Sequence, residues 1–314
     1  MSKPDLLMIG PQNDDVTSAL EERFKIHRYW EAEDKQALLK DLSDKVRHIA
    51  TGGSHGASRE IIEALPKLEL ISSFGVGYDA VDVTAAREAG VRVTNTPDVL
   101  NDCVAEVTLG LMISLAHRIP QADRYLRDGK WESEGSYPLT DELTGKRAGI
   151  LGLGRIGKEI ARRLQAFKME VVYHGRNRQP YEPYPYYDDL ETMAREVDWL
   201  IVIAPGSRST DGIVSRQVIE ALGPESYLVN IARGSLVDED ALVEALVSRK
   251  IKGAALDVFA AEPKVPARLI PLDNVVMLPH TGSATHKTRK MMGDLVVKNL
   301  LAHLDGNPLI SPVV

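Results

Sequence analysis

Three short segments of this sequence carry residues whose types suit chemistry on a small anionic carbonyl compound. Arg233 follows Asn230-Ile231-Ala232, Glu262 precedes Pro263, and His280 follows Pro279. A guanidinium can hold a carboxylate and a carbonyl oxygen together. An imidazole titrates near neutral pH, and a carboxylate beside it fixes its tautomer and favours its charged form. Together these side chains could hold such a compound and move a proton.

Each of these residues also has a purely structural interpretation. An arginine often forms a surface salt bridge, and Glu262 could be an ordinary surface acid before a proline. The chain has 8 histidines, and most histidines are structural. His280 stands apart because it follows the apolar run Val275 to Leu278 and precedes a turn of small residues.

A glycine-rich segment follows one apolar run and opens an amphipathic one. Gly152-Leu153-Gly154-Arg155-Ile156-Gly157 comes directly after Ala148 to Leu151 and precedes Lys158 to Phe167. In such a motif the first glycine makes a tight turn, the second lets backbone approach a pyrophosphate, and the third lets helix pack on strand. The N–H groups that open the helix can bind phosphates. The motif predicts a dinucleotide site, with a turn that binds no ligand as the alternative.

Residues about twenty positions further on should determine whether the site prefers NAD or NADP. Sites that prefer NAD usually carry an acid there. Here the sequence reads His174-Gly175-Arg176-Asn177-Arg178, with no acid and two arginines. A carboxylate would repel a 2′-phosphate, whereas a guanidinium can bind one with paired hydrogen bonds. We therefore predict a preference for NADP(H). If the arginines form only a solvated loop face, the site would accept NAD(H) as well as NADP(H).

The elements that must position these residues alternate between short apolar runs and longer amphipathic segments, which predicts parallel sheets with crossover helices. A first series of strands is predicted at Leu6 to Gly10, His48 to Thr51, Leu70 to Phe74 and Val91 to Thr94. A second series of six begins at Ala148 and ends at Leu278, and a C-terminal helix is predicted at about Thr288 to Leu304. Tyr181 to Tyr187 is interpreted as a loop. The pattern indicates an α/β protein with two Rossmann-like, doubly wound parallel sheets.

The chain resembles the D-isomer-specific 2-hydroxyacid dehydrogenase family, in particular its glyoxylate/hydroxypyruvate reductase branch. The resemblance runs from Ser72-Ser73-Phe74-Gly75-Val76-Gly77-Tyr78-Asp79 to His280-Thr281-Gly282-Ser283-Ala284-Thr285. It implies that the second domain is inserted in the first. Residues 1–98 with 284–314 would form a flavodoxin-like substrate-binding domain, and residues 99–283 the dinucleotide-binding Rossmann domain. It also implies a homodimer, with the segment Gly129 to Thr144 at its interface.

The resemblance implies roles for individual residues. His280 would be the proton donor, Glu262 its partner and Arg233 the substrate-binding arginine. Asp257 would contact the nicotinamide carboxamide, although it could instead cap the turn that follows it. The residues expected at the cofactor are Gly152, Leu153, Gly154, Arg155, Ile156, Gly157, His174, Arg176, Arg178, Ala204, Ile231, Ala232, Asp257, His280 and Gly282. Those expected at the substrate are Val76, Gly77, Leu100, Arg233 and His280.

Composition narrows the class of protein. The net charge of −7 and the lack of a basic run argue against nucleic-acid binding. No apolar run is long enough to span a membrane, and the N-terminus lacks a signal-peptide pattern, so a cytoplasmic protein is expected. The single cysteine, Cys103, is predicted to be a small buried hydrophobe. No metal site is predicted.

These observations predict an NADPH-preferring reductase of small 2-oxo acids, glyoxylate and hydroxypyruvate, that forms D-2-hydroxy acids. Two alternatives stay open. One is an NAD-linked D-2-hydroxyacid dehydrogenase of another substrate. The other is a dinucleotide-sensing interaction protein like the corepressors of the same fold, which retain the same three catalytic residue types.

Overall fold

The strands and helices of the computed structural model, which describes residues 3–314, fall into two units. The first comprises residues 3–100 together with Ala284–Val314, and the second comprises Asn101–Ser283. Each unit is built around its own parallel sheet.

The first unit contains a five-stranded sheet in the order β2-β1-β3-β4-β5. Its strands are β1 (Asp5–Met8), β2 (Lys25–Arg28), β3 (His48–Gly52), β4 (Leu70–Phe74) and β5 (Arg92–Thr94). Its helices are α1 (Asp14–Glu21), α2 (Lys35–Leu42), α3 (Arg59–Glu63), α4 (Val83–Glu88) and α12 (His286–Leu304), with a 3₁₀ turn at Tyr29–Glu31. All strand pairs are parallel, and this order is the flavodoxin-like one.

The last part of the chain completes the core of the first unit. Val296 and Leu300 on α12 are fully buried in one apolar cluster with Leu6 and Met8 of β1. Because both faces of a parallel sheet are covered, its inner strands read as continuous apolar runs. β2 was not predicted, since it lies at the sheet edge and its sequence Lys-Ile-His-Arg carries no such run.

The second unit contains a seven-stranded sheet in the order β12-β11-β10-β9-β6-β7-β8. Its strands are β6 (Arg147–Leu151), β7 (Glu170–His174), β8 (Tyr186–Tyr187), β9 (Trp199–Val202), β10 (Tyr227–Asn230), β11 (Gly253–Leu256) and β12 (Val275–Met277). Its helices are α5 (Asn101–Ala116), α6 (Ile119–Arg127), α7 (Lys130–Glu134), α8 (Arg155–Ala166), α9 (Leu190–Arg195), α10 (Arg216–Leu222) and α11 (Glu239–Val247), with a 3₁₀ turn at Gly234–Leu236. The strand order is that of a dinucleotide-binding Rossmann sheet with one further strand.

The interpretation of Tyr181 to Tyr187 as a loop is wrong at its end. Tyr186 and Tyr187 form β8, which pairs in parallel with β7, so this sheet has seven strands rather than six. The strand has two residues and follows Pro183 and Pro185. It therefore presents no apolar run that a sequence pattern could detect.

Within residues 3–314, no single helix is both long and apolar enough to cross a bilayer. Helices α5 and α6 together satisfy a length and composition criterion, but the pair is bent by 58°. The same residues contain no group of three or more His, Cys, Asp or Glu side chains arranged to hold a metal ion.

Candidate active site

The candidate site of the second unit lies at the carboxyl edge of its sheet. Because every strand pair of the sheet is parallel, residues that follow different strands meet at one edge. The predicted residues at this edge are Gly152 after β6, His174 at the end of β7, Ala204 after β9, Ile231 after β10, Asp257 after β11 and His280 after β12.

The glycine-rich segment forms a turn with no room for a side chain at its first and last glycines. Gly152 has φ +104°, and a Cβ there would lie 2.7 Å from the backbone of Ala204. A Cβ on Gly157 would lie 2.3 Å from the carbonyl oxygen of Gly152. Gly154 caps the N-terminus of α8, and nothing lies within 4 Å of the position its Cβ would take. The turn thus leaves open space beside the free N–H groups of α8, which fits a pyrophosphate.

His280 and Glu262 are joined directly. Nδ1 of His280 lies 2.8 Å from Oε2 of Glu262, while Oε1 of Glu262 accepts a hydrogen bond of 3.0 Å from the backbone N–H of Phe259. Both carboxylate oxygens are therefore committed, and the carboxylate cannot rotate without losing a bond.

This contact assigns the tautomer of His280. An ionised carboxylate only accepts hydrogen bonds, so Nδ1 must carry the proton in the Glu262 bond. The remaining ring nitrogen, Nε2, then accepts a proton when the ring becomes charged and can release it to a ligand. The His280 side chain is 48% exposed and that of Glu262 35% exposed, so the dyad is open to a small molecule.

The backbone of His280 is held by Asp257. His280 adopts a left-handed conformation with φ +52°, and its N–H donates to the carbonyl of Asp257 at 2.8 Å. The Asp257 carboxylate accepts from the N–H groups of Thr281 at 2.7 Å and Gly282 at 2.8 Å. Burial raises the pKa of Asp257, although these backbone hydrogen bonds oppose the shift. Asp257 thus fixes the turn that carries His280, and its contact with a nicotinamide carboxamide stays a prediction.

Arg233 lies in a turn that is clamped by Asn230. The Asn230 side chain accepts from the N–H of Ala232 at 3.1 Å and donates to the carbonyl of Arg233 at 2.9 Å. The next residue, Gly234, approaches so closely that a Cβ would lie 2.0 Å from the carbonyl carbon of Phe259. The Arg233 turn is therefore packed on the segment that leads to Glu262, which brings the predicted cation close to the predicted proton relay.

The arginine segment after β7 is exposed. Arg176, Asn177 and Arg178 are exposed, and within residues 3–314 neither guanidinium has a salt-bridge partner. His174, at the start of this segment, is half-buried and its Nδ1 lies 2.9 Å from the carbonyl oxygen of Tyr187. The two cations are thus available to an anionic ligand.

The first unit holds the other predicted substrate residues in a separate, pinned loop. The N–H of Gly75 donates to the hydroxyl of Thr96 at 3.0 Å, and the Asn95 amide donates to the carbonyl of Val76 at 2.8 Å. Leu100 is 5% exposed. Substrate binding by Val76, Gly77 and Leu100 stays a prediction.

Two positioning residues were not predicted from the sequence. They are Asn230 and Glu239, whose Oε1 accepts a hydrogen bond of 2.9 Å from the N–H of Ala260. The signal for Asn230 is its place at the end of the apolar strand β10. Cys103 is buried as predicted, and its thiol donates to the carbonyl of Gly282 at 3.2 Å.

Comparison with known proteins places these features in a family. A sequence model described as the NAD-binding domain of D-isomer-specific 2-hydroxyacid dehydrogenases matches residues 109–282, more than half of the chain. The chain belongs to the D-isomer-specific 2-hydroxyacid dehydrogenase family. The predicted family and the predicted enzyme class, an NAD(P)-dependent oxidoreductase of 2-hydroxy acids, are confirmed. The prediction that the protein binds a nicotinamide dinucleotide is confirmed as well.

Relatives of this dehydrogenase place it in the glyoxylate/hydroxypyruvate reductase branch. It is 45% identical over 314 residues to a glyoxylate/hydroxypyruvate reductase of Arabidopsis thaliana, with 100% of both chains covered. It is 47% identical over 309 residues to a hydroxyphenylpyruvate reductase of Plectranthus scutellarioides, covering 98% of each. An NADPH-dependent glyoxylate/hydroxypyruvate reductase from Sinorhizobium meliloti, solved with NADP and malonate, superimposes with a TM-score of 0.94 at 44% identity, covering 100% of this chain and 97% of that one.

Proposed function

We propose that this dehydrogenase is an NADPH-preferring reductase of small 2-oxo acids, with glyoxylate and hydroxypyruvate as substrates and D-2-hydroxy acids as products. The observation that carries the proposal is the bond of 2.8 Å between Glu262 and Nδ1 of His280. It leaves Nε2 as the nitrogen that delivers a proton to a carbonyl oxygen. A purely structural histidine would not need a carboxylate whose other oxygen is held by a backbone hydrogen bond.

Each residue of the relay has a distinct task. The guanidinium of Arg233 holds the substrate carboxylate and stabilises charge that develops on the carbonyl oxygen. His280 donates the proton from Nε2, and Glu262 stabilises the charged imidazole before transfer. Asp257 keeps the His280 turn in place through Thr281 and Gly282. When bound, the nicotinamide supplies the hydride.

The preference for NADPH rests on the segment after β7. Arg176 and Arg178 are exposed and have no salt-bridge partner within residues 3–314. No acid lies between His174 and Arg178 that could bind ribose hydroxyls or repel a phosphate. The Sinorhizobium meliloti relative is an NADPH-dependent reductase, which supports the same choice.

The substrate assignment is tested by a panel of 2-oxo acids with both cofactors. We expect the highest kcat/KM for glyoxylate or hydroxypyruvate with NADPH, and D-glycerate as the product of hydroxypyruvate. A higher value for hydroxyphenylpyruvate would favour the activity named for the Plectranthus scutellarioides relative. Binding of NADPH without turnover of any 2-oxo acid would favour a dinucleotide-sensing protein and would contradict the proposal.

We also propose that the protein is a homodimer that uses α6, α7 and the segment after them. Large apolar side chains are exposed there: Ile119 at 47%, Leu126 at 55%, Trp131 at 65% and Leu139 at 99%. Exposed apolar side chains clustered along one stretch of chain commonly mark an interface. Sedimentation equilibrium of the wild type and of Leu126→Glu tests this, and a wild-type monomer at micromolar concentration would contradict it.

A further inference from the structure

The segment that carries Arg176 and Arg178 is tied at its far end to the glycine-rich turn. The side-chain amide of Gln179 donates to the carbonyl oxygen of Leu153 at 2.6 Å. The backbone N–H of Gln179 donates to the hydroxyl of Tyr173 at 2.7 Å, and Tyr173 itself is fully buried in β7. Gln179 therefore links the segment to two fixed parts of the second unit.

The near end of the segment is tied to β8. The hydroxyl of Tyr186 donates to the carbonyl oxygen of Gly175 at 3.0 Å, and Nδ1 of His174 lies 2.9 Å from the carbonyl oxygen of Tyr187. The rings of His174 and Tyr186 are nearly parallel, with 7° between their planes and 6.5 Å between their centroids. The short strand that the sequence did not predict thus anchors the start of the arginine segment.

The residues between these two anchors have no comparable support. Within residues 3–314, neither Arg176 nor Arg178 forms a salt bridge, and both are exposed. Their guanidiniums are therefore not positioned by ion pairs. The position of their backbone is set by the hydrogen bonds of Gln179 and Tyr186.

We propose that Gln179 and Tyr186 are positioning residues for the 2′-phosphate of NADP(H). The proposal rests on the proposed NADPH preference. The tie between Gln179 and Leu153 fixes the separation between the arginine segment and the glycine-rich turn. A ligand with both a 2′-phosphate and a 5′-phosphate gains from that fixed separation, because the protein does not have to order the segment on binding. A ligand that lacks the 2′-phosphate needs only the glycine-rich turn.

The test uses ligand fragments, so that its readout does not depend on turnover. Dissociation constants of 2′,5′-ADP and of 5′-AMP, which differs from it only by lacking the 2′-phosphate, are measured by calorimetry for the wild type, Gln179→Leu and Tyr186→Phe. Tyr184→Phe is the matched control, since the Tyr184 hydroxyl is exposed and donates to Gln165 at 3.2 Å, outside both anchors. Unfolding temperatures show whether each variant is folded. If Gln179→Leu does not fold, Tyr186→Phe still tests the proposal, because it removes one hydroxyl and nothing else.

We expect both anchor variants to weaken the binding of 2′,5′-ADP by roughly 2- to 10-fold, the effect of one lost hydrogen bond, while the binding of 5′-AMP changes little. The control should match the wild type with both ligands. In turnover, KM for NADPH should rise with kcat nearly unchanged, and KM for NADH should not move.

The proposal is overturned if the wild type prefers 2′,5′-ADP and the anchor variants keep that preference in full. It is also overturned if the variants weaken both ligands equally, since Gln179 would then support only the glycine-rich turn. A wild type that does not prefer 2′,5′-ADP over 5′-AMP would instead contradict the proposed NADPH preference itself.

Discussion

Oε2 of Glu262 accepts a hydrogen bond of 2.8 Å from Nδ1 of His280, a residue 18 positions further along the chain. Two residues of the segment that follows β11 bring the pair together. The Asp257 carboxylate holds the turn after β12, and the N–H of Phe259 holds the other oxygen of Glu262. The dyad is thus built by residues that take no part in proton transfer.

Replacing Glu262 with Gln should disturb proton transfer by His280 while keeping a side chain of nearly the same size and shape. A glutamine has one acceptor oxygen, yet the N–H of Phe259 and Nδ1–H of His280 both need an acceptor here. Loss of the negative charge also weakens the hydrogen bond that orients the imidazole. We expect a lower kcat for the reduction, measured by steady-state kinetics.

The matched control is Glu239→Gln, because Glu239 accepts a hydrogen bond from a backbone N–H in the same segment, that of Ala260. A glutamine can still accept that bond, so kcat should stay near the wild-type value. The relay role of Glu262 is contradicted if Glu262→Gln leaves kcat near that value as well.

Arg233→Ala should raise KM for hydroxypyruvate and lower kcat together, because the guanidinium holds the substrate carboxylate and also the developing alkoxide. Arg233→Lys should restore activity only in part, since an ammonium cannot form the paired hydrogen bonds. Steady-state kinetics with Arg268→Lys, an exposed arginine before β12, provides the comparison. Full activity of Arg233→Lys would show that charge alone suffices.

Replacing both Arg176 and Arg178 with Ala should weaken NADPH by about tenfold or more for each charged hydrogen bond lost. NADH kinetics should barely change, because NADH has no 2′-phosphate. In that background, Gly175→Asp should favour NADH, and there is room for the side chain because nothing lies within 4 Å of a Cβ there. Equal losses with both cofactors would mean that the arginines serve only as a solvated face.

His48 in the first unit should make stability depend on pH. Burial lowers the pKa of His48 to about 4, helped by nearby His303 and Arg47. The unfolded chain then binds a proton near pH 6.5 that the folded protein accepts only near pH 4. Its contribution to stability is therefore present above pH 6.5 and is lost as the pH falls toward 4.

The free energy of unfolding, measured by urea titration between pH 7 and 4, checks this. His48→Leu should flatten the dependence by up to ~1.4 kcal/mol per pH unit, the slope for one proton. His286→Leu serves as the control because His286 is exposed. If His48→Leu and the wild type have the same slope, His48 is not the group responsible.

Much of this account could be predicted from the sequence, because the decisive residues stand directly after apolar strands. His280, Asp257 and the glycine-rich turn each follow such a strand, and parallel strands bring their carboxyl ends to one edge. β2 and β8 were missed because both are edge strands without an apolar run. The bonds from Gln179 to Leu153 and from Asp257 to Gly282 join residues about 25 positions apart, and only the folded backbone determines such contacts.

The measurement that tests the central proposal most directly is the kcat of His280→Ala with glyoxylate and NADPH. If Nε2 of His280 donates the proton, kcat should fall on the order of 10²–10⁴-fold. NADPH binding, followed by fluorescence, should persist because the glycine-rich turn and the arginine segment are untouched. A kcat close to that of the wild type, with the variant folded and binding NADPH, would contradict His280 as the proton donor.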